Sequence, residues 1–335
     1  MNEKIVEFKD LLISFKTEQG VVKAVNGVSF EVRRGEILGI VGESGCGKSV
    51  TSMSLMRLLP VPPTVYESGS INLNGVDILS ISEEEMRNKR GSEVAIIFQE
   101  PMTSLNPVMK IGHQISEVLL IHEKISKKEA KNKAIEMIKL VGIPRPESIY
   151  DAYPYELSGG MRQRIMIAIA LACNPKVLIA DEPTTALDVT IQAQILDLIR
   201  EMKSKFDMSI MMITHDLGVI AEMADYVIVM YAGKVVEKAK VVDIFKNPRH
   251  PYTIGLMKSR PAFDGSGEKL YSIPGQVPNP INLPNYCYFY DRCDKRKDFC
   301  KNGIPELINL DNSHYVACFL ASEGGSKWAM KRYWK

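Results

Sequence analysis

The sequence has little of several features that would place a chain in a membrane, in a secretory pathway or on nucleic acid. No apolar run in its 335 residues approaches the roughly 18–20 residues that a membrane-spanning helix needs. The N-terminus, Met1 to Lys4, lacks the apolar segment of a secretion signal. The net charge is only +2, too small to indicate a nucleic-acid partner. With 45% hydrophobic and 24% charged residues, we expect a globular, cytoplasmic chain of more than one domain.

A phosphate-loop motif lies in the first fifth of the chain. Its residues, GESGCGKS from Gly42 to Ser49, fit the pattern G-x-x-x-x-G-K-[ST]. An apolar run, Ile37–Val41, precedes the loop as a buried strand would, and residues 50–59 have helical character. The backbone N–H groups of such a loop point at one anion, at the positive end of the following helix. We predict that a nucleoside triphosphate binds here, through Gly42, Ser44, Gly45, Cys46, Gly47, Lys48, Ser49 and Val50.

Three further apolar runs each end at polar residues. Residues 94–98 lead to Gln99, residues 177–180 lead to Asp181 and Glu182, and residues 210–213 lead to Thr214 and His215. In an open parallel α/β sheet, ligands bind at the carboxyl ends of the strands. We therefore predict an α/β fold in which four distant segments form one site. The alternative is that Gln99 and His215 are ordinary loop residues.

The order of these residues predicts their roles. Lys48 reaches the β- and γ-phosphates, and the Ser49 hydroxyl and the Asp181 carboxylate hold Mg²⁺. Glu182 turns out of the strand, so it orients the attacking water or accepts its proton. His215 contacts the γ-phosphate, and Gln99 joins the Mg²⁺ ligands or the water network.

A second anion-binding element follows at residues 157–161, LSGGM, ahead of a strong helix pattern at residues 162–172. Ser158 fits an N-cap, and the N–H groups of Gly159 and Gly160 are open to an anion at the positive end of the helix. The alternative is a plain Ser-Gly-Gly turn that caps a helix.

Together these motifs, in this order, resemble the ABC (ATP-binding cassette) ATPases, whose signature is LSGGQ; here Met161 replaces the Gln. The resemblance implies ATP as the nucleotide, with Phe15 stacked on adenine and a D-loop at Ala186, Leu187 and Asp188. It also implies a P-loop core with an antiparallel β subdomain and an α-helical subdomain at about residues 101–164. The ATPase domain would span residues 1–260.

The same resemblance implies partners. In ABC ATPases two subunits close head to tail, so Ser158 and Gly160 of one subunit, together with Asp188, would complete the ATP site of the other. That second subunit could be identical or merely similar. Without a spanning helix, transport would need two separate permease subunits, which we expect to dock near residues 99–107. Non-transport ABC ATPases typically carry long coiled-coil insertions or two cassettes in one chain, whereas this sequence shows a single cassette and no sustained heptad repeat. A non-hydrolysing cassette is disfavoured because Lys48, Glu182 and His215 are intact.

The C-terminal region narrows the resemblance. A proline-punctuated stretch begins at Ile273-Pro274-Gly275 and is unlikely to form long helices or strands. Four cysteines follow with the spacing Cys-x5-Cys-x6-Cys-x17-Cys, at Cys287, Cys293, Cys300 and Cys318. This arrangement resembles the ATP-binding subunits of bacterial oligopeptide and dipeptide importers, with the nickel importers as close relatives. It implies a peripheral protein on the cytoplasmic face of the membrane, served indirectly by an extracellular peptide-binding protein and not by nucleic acid.

The four cysteines predict a metal site more than disulfides, because the expected compartment is reducing. Four thiolates suit a tetrahedral zinc ion or an iron–sulfur cluster, although zinc sites commonly show shorter pairs. The family resemblance points to a [4Fe–4S] cluster, with zinc next and free or paired thiols as the remaining alternative. We expect this group to stabilise a small domain of residues 261–335. Cys46, in the phosphate loop, is a candidate target for thiol reagents if it is exposed.

Overall fold

The computed structural model describes residues 3–185, 187–259, 271–311 and 313–322. Its strands, in chain order, are β1 (Lys4–Thr17), β2 (Gly20–Arg33), β3 (Ile37–Val41), β4 (Thr64–Leu73), β5 (Val76–Asp77), β6 (Val94–Ile97), β7 (Val177–Asp181), β8 (Ser209–Ile213), β9 (Tyr226–Tyr231), β10 (Lys234–Lys240), β11 (Ile308–Asp311) and β12 (His314–Val316).

The α-helices are α1 (Lys48–Leu55), α2 (Glu83–Lys89), α3 (Pro101–Ser104), α4 (Ile111–His122), α5 (Lys127–Leu140), α6 (Pro146–Tyr150), α7 (Gly159–Leu171), α8 (Val189–Phe206), α9 (Leu217–Met223), α10 (Val241–Lys246), α11 (Pro251–Lys258) and α12 (Phe319–Ser322). Within the described part of the chain, no helix is both long enough and apolar enough to cross a membrane.

The chain forms two compact units. The first consists of the described residues of Met1–Ile5, Val32–Glu36 and Asp77–Ile213. The second consists of the described residues of Val6–Glu31, Ile37–Val76 and Thr214–Lys335.

In the first unit, β6, β7 and β8 form parallel neighbours, with Val94 opposite Val177 and Val177 opposite Ser209. All residues of β7 and β8 are buried, as expected for parallel strands with both faces covered. Helices α3 to α7 follow β6, and no strand occurs among the described residues from 101 to 171. The predicted helical stretch is therefore helical, and its last helix continues to Leu171.

Helix α5 shows how the sequence forms this helical part. Ser126 caps its first turn by accepting a hydrogen bond from the Glu129 N–H, and the Glu129 carboxylate accepts one from the Ser126 N–H in return. Its buried residues recur at helical spacing at Ala130, Ala134 and Ile138, so one face packs inward.

In the second unit, β3 runs parallel to β9, with Val41 opposite Val229, and β9, β10, β12 and β11 continue as antiparallel neighbours. β1 pairs antiparallel with β4, as the predicted antiparallel subdomain requires. The rings of Phe8 and Phe30 stack at a centroid distance of 4.4 Å in its core. The strand β3 is buried throughout and leads directly to the phosphate loop.

The predicted strand positions are confirmed to within one residue at each end, and residues 271–285 contain neither helix nor strand, as predicted. The helix after the phosphate loop is shorter than predicted, because α1 ends at Leu55 and not at Leu59. Arg57 adopts a left-handed backbone with φ +50°, which ends the helix although the apolar residues continue. The described residues after position 260 belong to the second unit, where β12 pairs with β10; a separate C-terminal domain stays a prediction.

Candidate nucleotide-binding site

The glycines at both ends of the phosphate loop are required by the backbone path. Gly42 has φ +153°, and a Cβ there would lie 2.3 Å from the Met230 carbonyl oxygen. Gly47 has φ +98°, and a Cβ there would lie 2.4 Å from the Ala24 carbonyl oxygen. Any larger residue would therefore collide with backbone on two sides of the loop. The loop therefore needs glycine at both positions to make its tight turn ahead of α1.

Lys48 starts α1 and reaches back across the loop. Its Nζ donates to the carbonyl oxygens of Gly42 at 2.7 Å and Glu43 at 3.1 Å, and the residue is 8% exposed. The ammonium group thus lies over the loop, next to the positive end of the helix. Ser49, in the same first turn, is half-buried, whereas Ser44 and Gly45 are exposed at the tip.

Cys46 lies inside the loop and is only 1% exposed. Burial raises the pKa of its thiol, and the nearby Lys48 ammonium only partly offsets this shift. A buried, protonated thiol reacts slowly because the thiolate is the nucleophile. The sequence makes Cys46 a candidate target for thiol reagents on the condition that it is exposed. Because Cys46 is buried, that condition is not met.

Two more predicted residues lie in the second unit. Phe15 is half-buried on β1, opposite Thr64 of β4. His215 is exposed in the turn between Thr214 and α9. Asp216 fixes that turn, because its N–H donates to Thr214 Oγ1 at 3.0 Å and its carboxylate accepts from the Gly218 N–H at 2.7 Å.

In the first unit, a polar cluster forms around the Glu182 carboxylate. Its Oε2 accepts hydrogen bonds from Gln99 Nε2 at 2.9 Å and from Thr185 Oγ1 at 2.8 Å. Asp181, at the end of β7, is 6% exposed. Gln99 and Glu182, two of the residues that the sequence assigns to one site, are thus hydrogen-bonded to each other, and the site of four segments stays a prediction. Thr185 was not predicted.

Glu182 also has an unusual backbone. Its φ is +48°, a left-handed conformation that costs a non-glycine residue about 1 kcal/mol or more. Its N–H donates to the Ile213 carbonyl oxygen at 2.8 Å, which anchors the turn to the end of β8. The chain therefore leaves the strand direction at Glu182, as the sequence predicted. Backbone strain of this kind is common at functional residues.

The Ser-Gly-Gly element begins α7. Ser158 is exposed and caps the helix by accepting a hydrogen bond from the Met161 N–H at 3.4 Å. Ser158 therefore caps the helix, as the alternative interpretation predicted. The anion-binding role stays a prediction. Ile191 Cγ2 lies 3.0 Å from the position of a Cβ at Gly160, so a larger residue there would require the Ile191 side chain to shift by a few tenths of an ångström. In the same unit, Asp188 caps α8 through the Ile191 N–H at 3.0 Å. Ala186 lies outside the described residues.

Sequence reasoning missed one buried link in this unit. Gln163, on the first turns of α7, is 1% exposed, and its Nε2 donates to the Pro183 carbonyl oxygen at 2.6 Å. It ties the Ser-Gly-Gly helix to the residue directly after Glu182. The only sequence signal was a polar residue inside an otherwise apolar helix, because such a residue needs a partner when it is buried.

Ser49 and Asp181 supply the groups that a magnesium ion prefers. A serine hydroxyl and an aspartate carboxylate are hard oxygen donors, and Mg²⁺ takes one or two such protein ligands together with phosphate oxygens. The donor chemistry therefore fits Mg²⁺. Ser49 belongs to the second unit and Asp181 to the first.

All four C-terminal cysteines line one pocket, which is partly open to solvent and also bounded by His250 and Phe289. The cysteines are not joined in disulfides. Burial raises the pKa of the Cys293 thiol to about 11 and that of Cys318 to about 12. No three His, Cys, Asp or Glu side chains in the described ranges are arranged to hold a single metal ion.

The site consists of a buried strand, a loop with two obligatory glycines and a lysine folded over that loop. This combination is typical of nucleotide-binding proteins. The sequence profile for "ABC transporter" matches residues 25–185, and that for "Oligopeptide/dipeptide transporter, C-terminal region" matches residues 236–300. The chain belongs to the ABC transporter family of ATPases.

Two curated relatives and one solved structure illustrate this membership. The oligopeptide transport ATP-binding protein OppD of Bacillus subtilis (strain 168) is 54% identical over 318 residues, covering 95% of this chain and 89% of the relative. The dipeptide transport ATP-binding protein DppD of the same organism is 50% identical over 321 residues, covering 96% of each. A dimeric post-hydrolysis state of the ATP-binding cassette MJ0796, bound to ADP and Pi, aligns with a TM-score of 0.63 and 25% identity over 70% of this chain and 98% of that chain.

Proposed function

We propose that this chain hydrolyses ATP to drive the import of dipeptides or oligopeptides, as the nucleotide-binding subunit of an ABC importer. The observation that carries the peptide assignment is the C-terminal match at residues 236–300, which lies beyond the general cassette match. The similarity to oligopeptide and dipeptide transport proteins extends over at least 95% of the chain, so it includes this region. Nickel or another small solute is the second candidate cargo.

In this proposal each motif has one role in hydrolysis. The loop from Gly42 to Ser49 binds the phosphates, and Lys48 stabilises the charge on the β- and γ-phosphate oxygens. Ser49 and Asp181, with Gln99 as a further candidate, would hold Mg²⁺, which neutralises phosphate charge. Glu182 orients a water molecule and accepts its proton as the water oxygen attacks the γ-phosphorus and the bond to ADP breaks. His215 contacts the γ-phosphate.

The proposed working unit is a dimer. Ser158 and Gly160 of one subunit would bind the γ-phosphate of ATP held by its partner, and Asp188 would lie at the same interface. This is supported by the exposure of Ser158 and Asp188 and by the exposed position of Val189 beside them, 83% accessible. Phe15 would stack on the adenine. The partner is a second copy of this chain or a similar ATPase subunit.

We also propose that two permease subunits dock on the first unit near residues 99–107. Two large apolar side chains flank this segment in exposed positions, Phe98 at 37% and Val108 at 78% accessibility. In this proposal both side chains would be buried against the permeases. The protein would then lie on the cytoplasmic face of the membrane, and an extracellular peptide-binding protein would select the cargo. In this assignment residues 1–260 form the ATPase domain and residues 261–335 the C-terminal domain.

For the four cysteines we propose a [4Fe–4S] cluster with a structural role. Thiolates are the ligands of such clusters, and one pocket lined by all four cysteines supports this donor set. Zinc is the weaker candidate, because zinc sites commonly show two short Cys-x2-4-Cys pairs and the spacings here are longer. Since burial keeps Cys293 and Cys318 protonated at neutral pH, binding the iron would release protons.

The peptide assignment is tested by the ATPase activity of the complete complex with its permeases and binding protein. We expect short peptides to stimulate phosphate release several-fold, and nickel ions not to do so. Stimulation by nickel alone would instead support the second candidate. The iron–sulfur assignment is tested by iron, sulfide and zinc analysis of anaerobically purified protein. About four irons and four sulfides per chain, lost in Cys293→Ser, are expected; zinc or no metal would contradict the cluster.

A further inference from the structure

Glu43, the second residue of the phosphate loop, is held from the C-terminal part of the second unit. Its carboxylate accepts two parallel hydrogen bonds from Arg292, Nη1 to Oε2 at 2.6 Å and Nη2 to Oε1 at 2.9 Å. Its backbone N–H donates to Tyr252 Oη at 2.8 Å. The two residues of the ion pair are 249 positions apart in sequence. A bidentate pair of this kind is geometrically specific as well as strong.

The Arg292 side chain is itself fixed, so it presents its guanidinium in one orientation. Its Nε donates to the Pro274 carbonyl oxygen at 3.0 Å and its Nη2 to the Ile273 carbonyl oxygen at 3.3 Å. The guanidinium carbon lies 5.7 Å from the centre of the Tyr231 ring. Arg292 is 7% exposed, and hydrogen bonding to Glu43 raises the pKa of Arg292, so the group remains charged. Lysine could not replace this planar set of donors.

The pair acts on the loop in two ways. First, the Glu43 carbonyl oxygen is one of the two acceptors of Lys48 Nζ, so holding Glu43 also holds the lysine that reaches the phosphates. Second, a carboxylate in a phosphate-binding loop repels an anionic ligand, and Arg292 neutralises it. Without Arg292, a partly buried negative charge would remain uncompensated beside the polyphosphate.

We propose that Arg292 is a positioning residue of the phosphate loop, which makes ATP binding strong by neutralising Glu43 and fixing its orientation. This rests on the loop being the ATP site proposed above. Arg292 directly precedes Cys293, so the cysteine-bearing segment and the phosphate loop are mechanically connected through one side chain. The C-terminal region therefore contributes to nucleotide affinity as well as to stability.

The test measures the dissociation constant for a fluorescent ATP analogue, together with the KM and kcat of ATP hydrolysis, in the full-length chain. Arg292→Met keeps the length of the side chain and removes its charge. We expect at least about a tenfold rise in the dissociation constant and in KM, with kcat at saturating ATP within about twofold of the wild type. Arg296→Met is the matched control, because its Nη1 donates to the Asp291 carbonyl oxygen and not to the loop.

The decisive variant is the double substitution Glu43→Gln with Arg292→Met. Because it removes both charges but also the hydrogen bonds that hold Glu43, it should bind ATP at least about threefold more tightly than Arg292→Met, without reaching the affinity of Glu43→Gln alone. An Arg292→Met protein that folds and binds ATP like the wild type would overturn the inference. So would a double variant as weak as Arg292→Met, because Arg292 would then act through the fold alone. If Arg292→Met does not fold, Arg292→Gln gives the same test, because it is also uncharged and its amide can still donate a hydrogen bond.

Lys48→Ala separates this inference from the proposed site. If Lys48→Ala loses ATP binding while Arg292→Met binds ATP like the wild type, only the positioning role is refuted. Wild-type ATP binding in Lys48→Ala would refute the loop as the ATP site and the positioning role with it.

Discussion

Replacing Glu182 by glutamine tests the reaction chemistry at one atom. Glutamine has the same shape, and its remaining oxygen can still accept hydrogen bonds from Gln99 and Thr185, which lie 2.9 and 2.8 Å from Oε2 in the wild type. Glutamine can adopt the left-handed backbone at position 182 at the same steric cost as glutamate, so the backbone should not change. The substitution removes the negative charge of the side chain and with it the ability to accept a proton.

The expected loss follows from the role of the carboxylate. A positioned general base contributes about 10²–10⁴-fold to a rate, which corresponds to about 3–5 kcal/mol of transition-state stabilisation. Removing one of the two hydrogen bonds that orient it, in Thr185→Val, should cost at most about 2 kcal/mol, or about thirtyfold. Glu182→Gln should therefore lower kcat more than Thr185→Val does, although both substitutions affect the Glu182 carboxylate.

Both losses are measured as kcat for phosphate release at saturating Mg-ATP, with ATP binding followed separately. Glu182→Gln should bind ATP at least as well as the wild type. Glu201→Gln, an exposed carboxylate on α8 of the same unit, is the control for loss of charge and should leave kcat unchanged. A Glu182→Gln protein that retains kcat within about threefold of the wild type would refute the assignment of Glu182 as the base.

Three further predictions concern the second unit. Gly47→Ala should abolish ATP binding and lower the melting temperature more than Gly45→Ala does, because both have positive φ but only Gly47 faces the Ala24 carbonyl; a shift equal in both would contradict this. Cys46 should react with N-ethylmaleimide far more slowly in folded than in unfolded protein, followed by mass spectrometry, since burial raises its thiol pKa; equal rates would disprove it. Burial lowers the His250 pKa from about 6.5 to about 4. As pH falls, His250 is protonated in the unfolded chain before it is protonated in the folded chain. The free energy of unfolding therefore drops by about 3 kcal/mol from above pH 6.5 to pH 4. Urea unfolding should show a smaller drop in His250→Asn, and an identical one would refute the shift.

The parts of the fold that sequence predicted well are those with local physical signals. Buried parallel strands show as short apolar runs, and the phosphate loop shows as glycines at fixed spacing, so β3, β6, β7 and β8 were located from sequence. The end of α1 was not, because Arg57 adopts a left-handed backbone with no glycine to indicate it.

The residues that sequence could not predict act over long separations. Arg292 contacts Glu43 across 249 positions, and nothing near either residue indicates the other. Glu237 is completely buried, where it accepts hydrogen bonds from the Arg249 and His250 N–H groups and pairs with His314. A charged residue is almost never fully buried unless it is paired, and nothing near Glu237 in the sequence indicates its partners. Such contacts follow from the tertiary fold alone.

The most direct test of the proposed function is ATP-dependent accumulation of a labelled peptide in proteoliposomes. The vesicles would contain the permeases and this chain, with ATP inside and the peptide-binding protein outside. We predict accumulation of peptide against its gradient with the wild-type chain and none with Glu182→Gln. Equal accumulation with both chains, or none with the wild type while its ATP hydrolysis proceeds, would contradict a role as the ATPase that drives peptide import.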